Sequence, residues 1–116
     1  MYIPGEARLM LINGKYSVWF RTALGEGTGI VVLEDGQLTG GDTVIAYAGS
    51  YRQDNDAFNA DIAIKRHSPG QLSVFGIDDV DITLTGRSTG TTASCQGTSK
   101  QAPGMAFEAT MIRMAD

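Results

Sequence analysis

The strongest constraint on how this chain folds is a strict two-residue alternation in its second half. Phe58, Ala60, Ile62 and Ile64 fall on one side of an extended backbone, with Asn59, Asp61 and Lys65 on the other. Val80, Ile82 and Leu84 alternate in the same way with Asp81, Thr83 and Thr85. Successive strand side chains point to opposite faces, so both segments read as half-buried β-strands. The C-terminal run repeats the pattern, with Met105, Phe107, Ala109 and Met111 opposing Glu108 and Thr110.

Turn chemistry divides the rest of the chain. Lys15 to Leu24 is rich in β-branched and aromatic residues and runs through Gly25, Gly27 and Gly29 into Ile30–Leu33, which predicts a hairpin. Asp35-Gly36, between Val31-Val32-Leu33 and Leu38, fits a type I′ turn, in which both central residues take positive φ. Gly40-Gly41-Asp42 predicts the next corner, Gln53-Asp54-Asn55-Asp56 another, and Ser88-Thr89-Gly90 and Ser99–Gly104 separate the last strands. About eight strands result, with no convincing helix. The expectation is an all-β fold, a small antiparallel barrel or sandwich. The 116 residues suffice for one domain. Fifteen glycines, about 13% against a usual ~7%, with no Gly-X-Y period, add to the case for many turns.

Eight strands enclose a space that side chains fill or that holds one small ligand. Ala46, Ala48, Ala60 and Ala93, if inward, would leave room for a ligand. The segment from His67 to Asp78 is long for a hairpin loop and carries the apolar Leu72, Val74 and Phe75, which suits a loop folded over a barrel mouth. On the early strand Trp19 alternates with Val18 and Phe20. Either Trp19 or that pair faces outward, and an outward apolar stripe would favour dimerisation.

Net charge is −4, and no basic run is longer than Lys65-Arg66, which disfavours direct nucleic-acid binding. No apolar run approaches the ~18 residues of a membrane-spanning helix. Residues 1–11 lack the pattern of a signal peptide, so a cytoplasmic location is expected. The single cysteine, Cys95, reads as a small buried hydrophobe.

Several motifs invite chemistry that their context refuses. Gly86-Arg87-Ser88-Thr89-Gly90 has the letters of a nucleophile elbow, but a strand-like Thr91–Gln96 follows where a helix is needed, and the only histidine, His67, precedes the serine. Gly25-Glu26-Gly27-Thr28-Gly29 lacks the lysine of a phosphate loop. Asp54-Asn55-Asp56 starts like a calcium loop but places Phe58 and Lys65 where oxygen ligands belong. Asp78, Asp79 and Asp81 read as a solvated strand entrance. No catalytic residue, metal site or cofactor is expected.

Gly14-Lys15-Tyr16-Ser17-Val18-Trp19-Phe20, Gly25-Glu26-Gly27, Gly36, Thr39-Gly40-Gly41-Asp42, Tyr47 and Gly49 resemble the GrlR family, named for a negative regulator of type III secretion. The resemblance covers residues 14–66, with strand spacing alone beyond. It implies an eight-stranded, lipocalin-like up-and-down barrel over residues 14–116, a plug-like loop at one end and a homodimer held by apolar contacts. Residues 1–13 would then be an N-terminal extension, with Met10 an alternative start. Tyr16, Val18 and Phe20, or their alternating neighbours such as Trp19, would line the cavity or the dimer contact, and Leu72, Val74 and Phe75 would belong to the plug.

The resemblance also implies a non-enzymatic role, the named regulator binding a transcriptional activator through an acidic hairpin turn. The matching turn here retains Asp54 and Asp56 as partner-binding candidates, while Gln53 and Asn55 replace carboxylates and Arg52 adds a positive charge. The other function considered is a barrel carrying a lipid or another small apolar ligand.

Overall fold

A computed structural model describes residues 9–41, 45–66 and 79–114. The strands are β1 (Gly14–Thr22), β2 (Gly25–Glu34), β3 (Gln37–Gly41), β4 (Ile45–Asp54), β5 (Ala57–Arg66), β6 (Asp79–Ser88), β7 (Thr92–Ser99) and β8 (Ala106–Arg113). Each pairs antiparallel with its sequence neighbours, and β8 closes onto β1, giving a closed up-and-down barrel. Closure removes most of the sheet edge, and among the described residues Gly25–Ile30 of β2 pair with β1 alone, because β3 reaches only as far as Val31.

The turns follow their local chemistry. Asp35 and Gly36 take φ of 49° and 85°, the type I′ signature, and Asn55 takes φ 55° in the β4–β5 turn. Gly40, expected at a corner, instead lies within β3, opposite Tyr47 of β4. Its corner partner Asp42 lies outside the described residues.

Alternation sends Tyr16, Val18, Val31, Leu33, Leu38, Tyr47, Tyr51, Phe58, Ala60, Ile64, Val80, Ile82, Leu84, Phe107, Ala109 and Met111 into one core. Ala60 and Ala93 are buried as expected, but Ala46 and Ala48 face solvent, because the inward positions of β4 belong to Tyr47, Gly49 and Tyr51. Two of the four alanines counted on to open the interior therefore contribute nothing to it.

Glycine takes over that task. Phe20, Tyr47, Phe58 and Phe107 stand opposite Gly27, Gly40, Gly86 and Gly97 across their ladders. A Cβ on Gly27 would lie 2.6 Å from the Phe20 ring, and one on Gly29 3.1 Å from the Tyr47 ring. Phe20 in turn packs edge-to-face on Tyr47 and stacks with Phe107, both at 6.1 Å between centroids. At Gly49, Gly86 and Gly97 the tight neighbour is the adjacent backbone itself, through the carbonyls of Asp61, Ser94 and Thr83. Such close approach lets a small sheet curve sharply enough to close.

The chain before β1 is tied to the barrel over the part that is described, where the sequence suggested a separate extension. Leu11 is buried within the core. Its N–H donates to Gln53 Oε1 at 2.8 Å and its carbonyl accepts from Gln53 Nε2 at 3.0 Å. The Leu9 carbonyl accepts from Ser88 Oγ and from the Gly90 N–H, and the Ile12 carbonyl accepts from the Tyr16 hydroxyl at 2.6 Å. Asn13 exchanges two hydrogen bonds with Asp35. Leu9–Asn13 is thus a strap across one barrel end. At the opposite end Ser99 Oγ accepts from the Gln101 and Ala102 N–H groups, and Ala102 and Met105 pack on the core.

Candidate functional site

The barrel presents two surfaces on which its sequence candidates divide. Tyr16 and Val18 are buried and Phe20 is half-buried inside the barrel, while Trp19 stands on the outer face. Of the alternatives left open by the alternation, closure selects the inward pair, since the two neighbouring ladders bury Val18 and Phe20 between β2 and β8.

Among the described residues the interior is nearly full. A cavity of about 40 Å³ remains, lined by side chains such as Val18, Phe20, Leu38, Tyr47, Ile82 and Phe107. Small-molecule sites occupy about 300–1,000 Å³, so this space is roughly a tenth of what a lipid-sized ligand needs. Leu72, Val74 and Phe75, the proposed plug, lie outside the described residues.

On the outer face, register builds a patch centred on β1. Ser17 lies between Ile30 of β2 and Ile112 of β8, Trp19 between Thr28 and Thr110, and Arg21 between Glu26 and Glu108. Trp19, Ile30 and Ile112 are 37%, 45% and 53% exposed. The small Ser17 leaves the two isoleucines standing proud on either side. The Arg21 guanidinium sits 5.2 Å from the centroid of the Trp19 ring and pairs with Glu108. An exposed tryptophan and two isoleucines with a charged margin have the composition of a protein-contact surface.

The acidic turn is built differently from an open anionic patch. Asp56 accepts both contacts of Arg87 Nη1 at 2.9 Å. Gln53 is the clamp on Leu11: an amide can both donate and accept there, as a carboxylate cannot. Asn55 supplies the positive φ of the turn. Gln53 and Asn55 thus each have a structural role in the turn. Arg52 lies 3.4 Å from Asp61. Asp54 carries neither an ion pair nor a side-chain hydrogen bond among the described residues.

The remaining candidates are structural in their placement. Ser88 is buried and its hydroxyl donates to Leu9, so it is not presented as a nucleophile. Cys95 is buried, and desolvation pushes its thiol up to about 11. The Asp81 side chain and N–H are both engaged by the Gln101 amide at 2.8 Å. Among the described residues no group of three or more His, Cys, Asp or Glu is placed to hold a metal ion. His67 lies outside them.

Two features had sequence signals that alternation does not capture. The apolar run Leu9-Met10-Leu11-Ile12 before the first strand marks the strap, and the pairing of aromatics with glycines emerges only once strand register is known. The fold and its surfaces define a small closed up-and-down β-barrel, with little space between the described inward side chains and an apolar outer face on β1. No protein-family profile matches the chain, and no curated protein matches it either.

Proposed function

We propose that this protein is a non-enzymatic regulatory or adaptor barrel that acts by binding protein, with a second copy of itself docked on the outer face of β1. The observation that carries the reading is the exposed Trp19–Ile30–Ile112 patch on a rigid, closed sheet. Charge order along β1 favours a second copy as the occupant. Lys15 lies at one end of the patch, and Glu26 and Glu108 flank Arg21 at the other. A two-fold axis near Ser17 and Trp19 would bring each Lys15 to the other copy's carboxylates, the self-complementarity an isologous contact requires.

The further role suggested by the GrlR-like motifs is negative regulation of a transcriptional activator, type III secretion being the family's setting. Asp54 and Asp56 would meet that partner, with Asp54 the more available carboxylate because Asp56 already holds Arg87. Two measurements test these readings. Sedimentation velocity should give a wild-type dimer and a folded Trp19→Ser monomer; a wild-type monomer at every concentration overturns the self-association. Pull-down from the native host should recover a regulatory protein whose capture weakens in Asp54→Asn, and recovery of no protein counts against the regulatory role.

A further inference from the structure

We propose that the barrel end spanned by Leu9–Asn13 is a recognition site for a leucine-bearing peptide segment, filled in cis by the chain's own strap and open to competition from a protein partner's segment. The strap is held almost entirely through its main chain. The Leu9 carbonyl takes Ser88 Oγ and the Gly90 N–H, the Leu11 N–H and carbonyl take the two ends of the Gln53 amide, and the Ile12 carbonyl takes the Tyr16 hydroxyl. Of the four apolar side chains Leu9, Met10, Leu11 and Ile12, only Leu11 is fully buried, at 4% exposure against 39% for Leu9 and 55% for Ile12, with Met10 half-buried. Main-chain hydrogen bonds thus supply affinity and one buried side chain supplies selection, a division of labour common in peptide recognition.

The receiving groups belong to the barrel, not to the strap. Gln53 is the penultimate residue of β4, Ser88 ends β6, Gly90 sits in the β6–β7 turn and Tyr16 is on β1, all positioned by the closed sheet. Ser88 and Tyr16 are buried with the strap in place, and its departure would remove the protein partner of each hydroxyl. A segment that adopts the strap's backbone conformation and carries a leucine at the Leu11 position would restore those bonds. The cis strap joins β1 directly and is pinned by Asn13 to Asp35, which gives it a high effective concentration. The intact barrel is therefore self-occupied, and a competing segment must offer more contact than the strap does. This inference stands on the strap alone and holds or fails independently of the outer face of β1.

The test uses the full chain and a fluorescent, end-blocked peptide spanning residues 8–13. In Leu11→Ala the cis anchor is weakened, and the peptide should bind at least about tenfold more tightly than to wild type. A peptide carrying Leu11→Ala should lose at least about tenfold relative to the native peptide on the same protein. A folded Leu11→Ala barrel that does not bind, or binds both peptides equally, overturns the proposal. Where Leu11→Ala melts too low to titrate, the readout becomes thermal: the native peptide must raise its melting temperature and the Leu11→Ala peptide must not, and the absence of that difference overturns the proposal equally.

Discussion

The Phe20 ring lies directly against Gly27 across the β1–β2 ladder, so close that a Cβ on the glycine would sit 2.6 Å from ring carbon Cε2. The same glycine strand also admits Tyr47, whose ring would meet a Cβ on Gly29 at 3.1 Å. Two inward positions of β2, Gly27 and Gly29, thus carry no side chain, and aromatic rings from β1 and β4 occupy the space.

Gly27→Ala should overpack this contact and destabilise the barrel by about 1–3 kcal/mol in chemical denaturation. Phe20→Leu in the same chain should recover part of that loss, because the smaller side chain removes the collision. Additive effects of the two changes would mean that the ring and the glycine are not coupled.

Gly86→Ala should be more damaging than Gly27→Ala. Here the added Cβ meets the Ser94 carbonyl and lies 2.8 Å from Cys95 Cα, and a backbone cannot rotate away as a ring can. We expect loss of cooperative unfolding or of soluble expression; a near-wild-type melting temperature would contradict the backbone collision.

Gln53→Glu should loosen the strap. A carboxylate still accepts from the Leu11 N–H but cannot donate to the Leu11 carbonyl, leaving a part-buried acceptor unpaired at about 1–3 kcal/mol. Amide exchange at Leu11 should accelerate, whereas Asp54→Asn, which breaks no bond described in the fold, should leave it unchanged.

Cys95 should resist thiol reagents at pH 8 in the folded protein and react once unfolded, since burial holds its thiol at about 11 against an ordinary 9.0. The linkage sign follows from the raised value. Stability from this group is complete below the unfolded thiol's pKa, declines as pH rises from 9 towards 11, and is lost above it. Cys95→Ala should flatten that part of the stability profile.

Strand positions and the facing of β5, β6 and β8 were legible because alternation is local: one buried face suffices to mark which residues turn inward. Trp19 was not assignable from its neighbours, since Val18 and Phe20 are as apolar as it is and only the pairing of β1 with both β2 and β8 distinguishes their faces. Ala46 and Ala48 misled for a related reason. Alanine carries too little hydrophobicity to define a face, and Tyr47 and Tyr51 took the inward register of β4. In the acidic turn, the residue types alone could not separate a depleted partner motif from a set of structural choices, because the Leu11 backbone that Gln53 clamps is 42 residues away in the chain.

By itself the sequence determined an all-β chain of eight strands, the tight turn at Asp35-Gly36 and the inward residues of the strongly alternating strands, all properties set by neighbours within a few positions. Tertiary structure alone decided that the sheet closes, that Leu9–Asn13 seals one end, that the interior is filled and that Trp19 faces outward. Those outcomes depend on pairing between distant strands, where glycines opposite aromatic rings let the sheet curve until β8 meets β1.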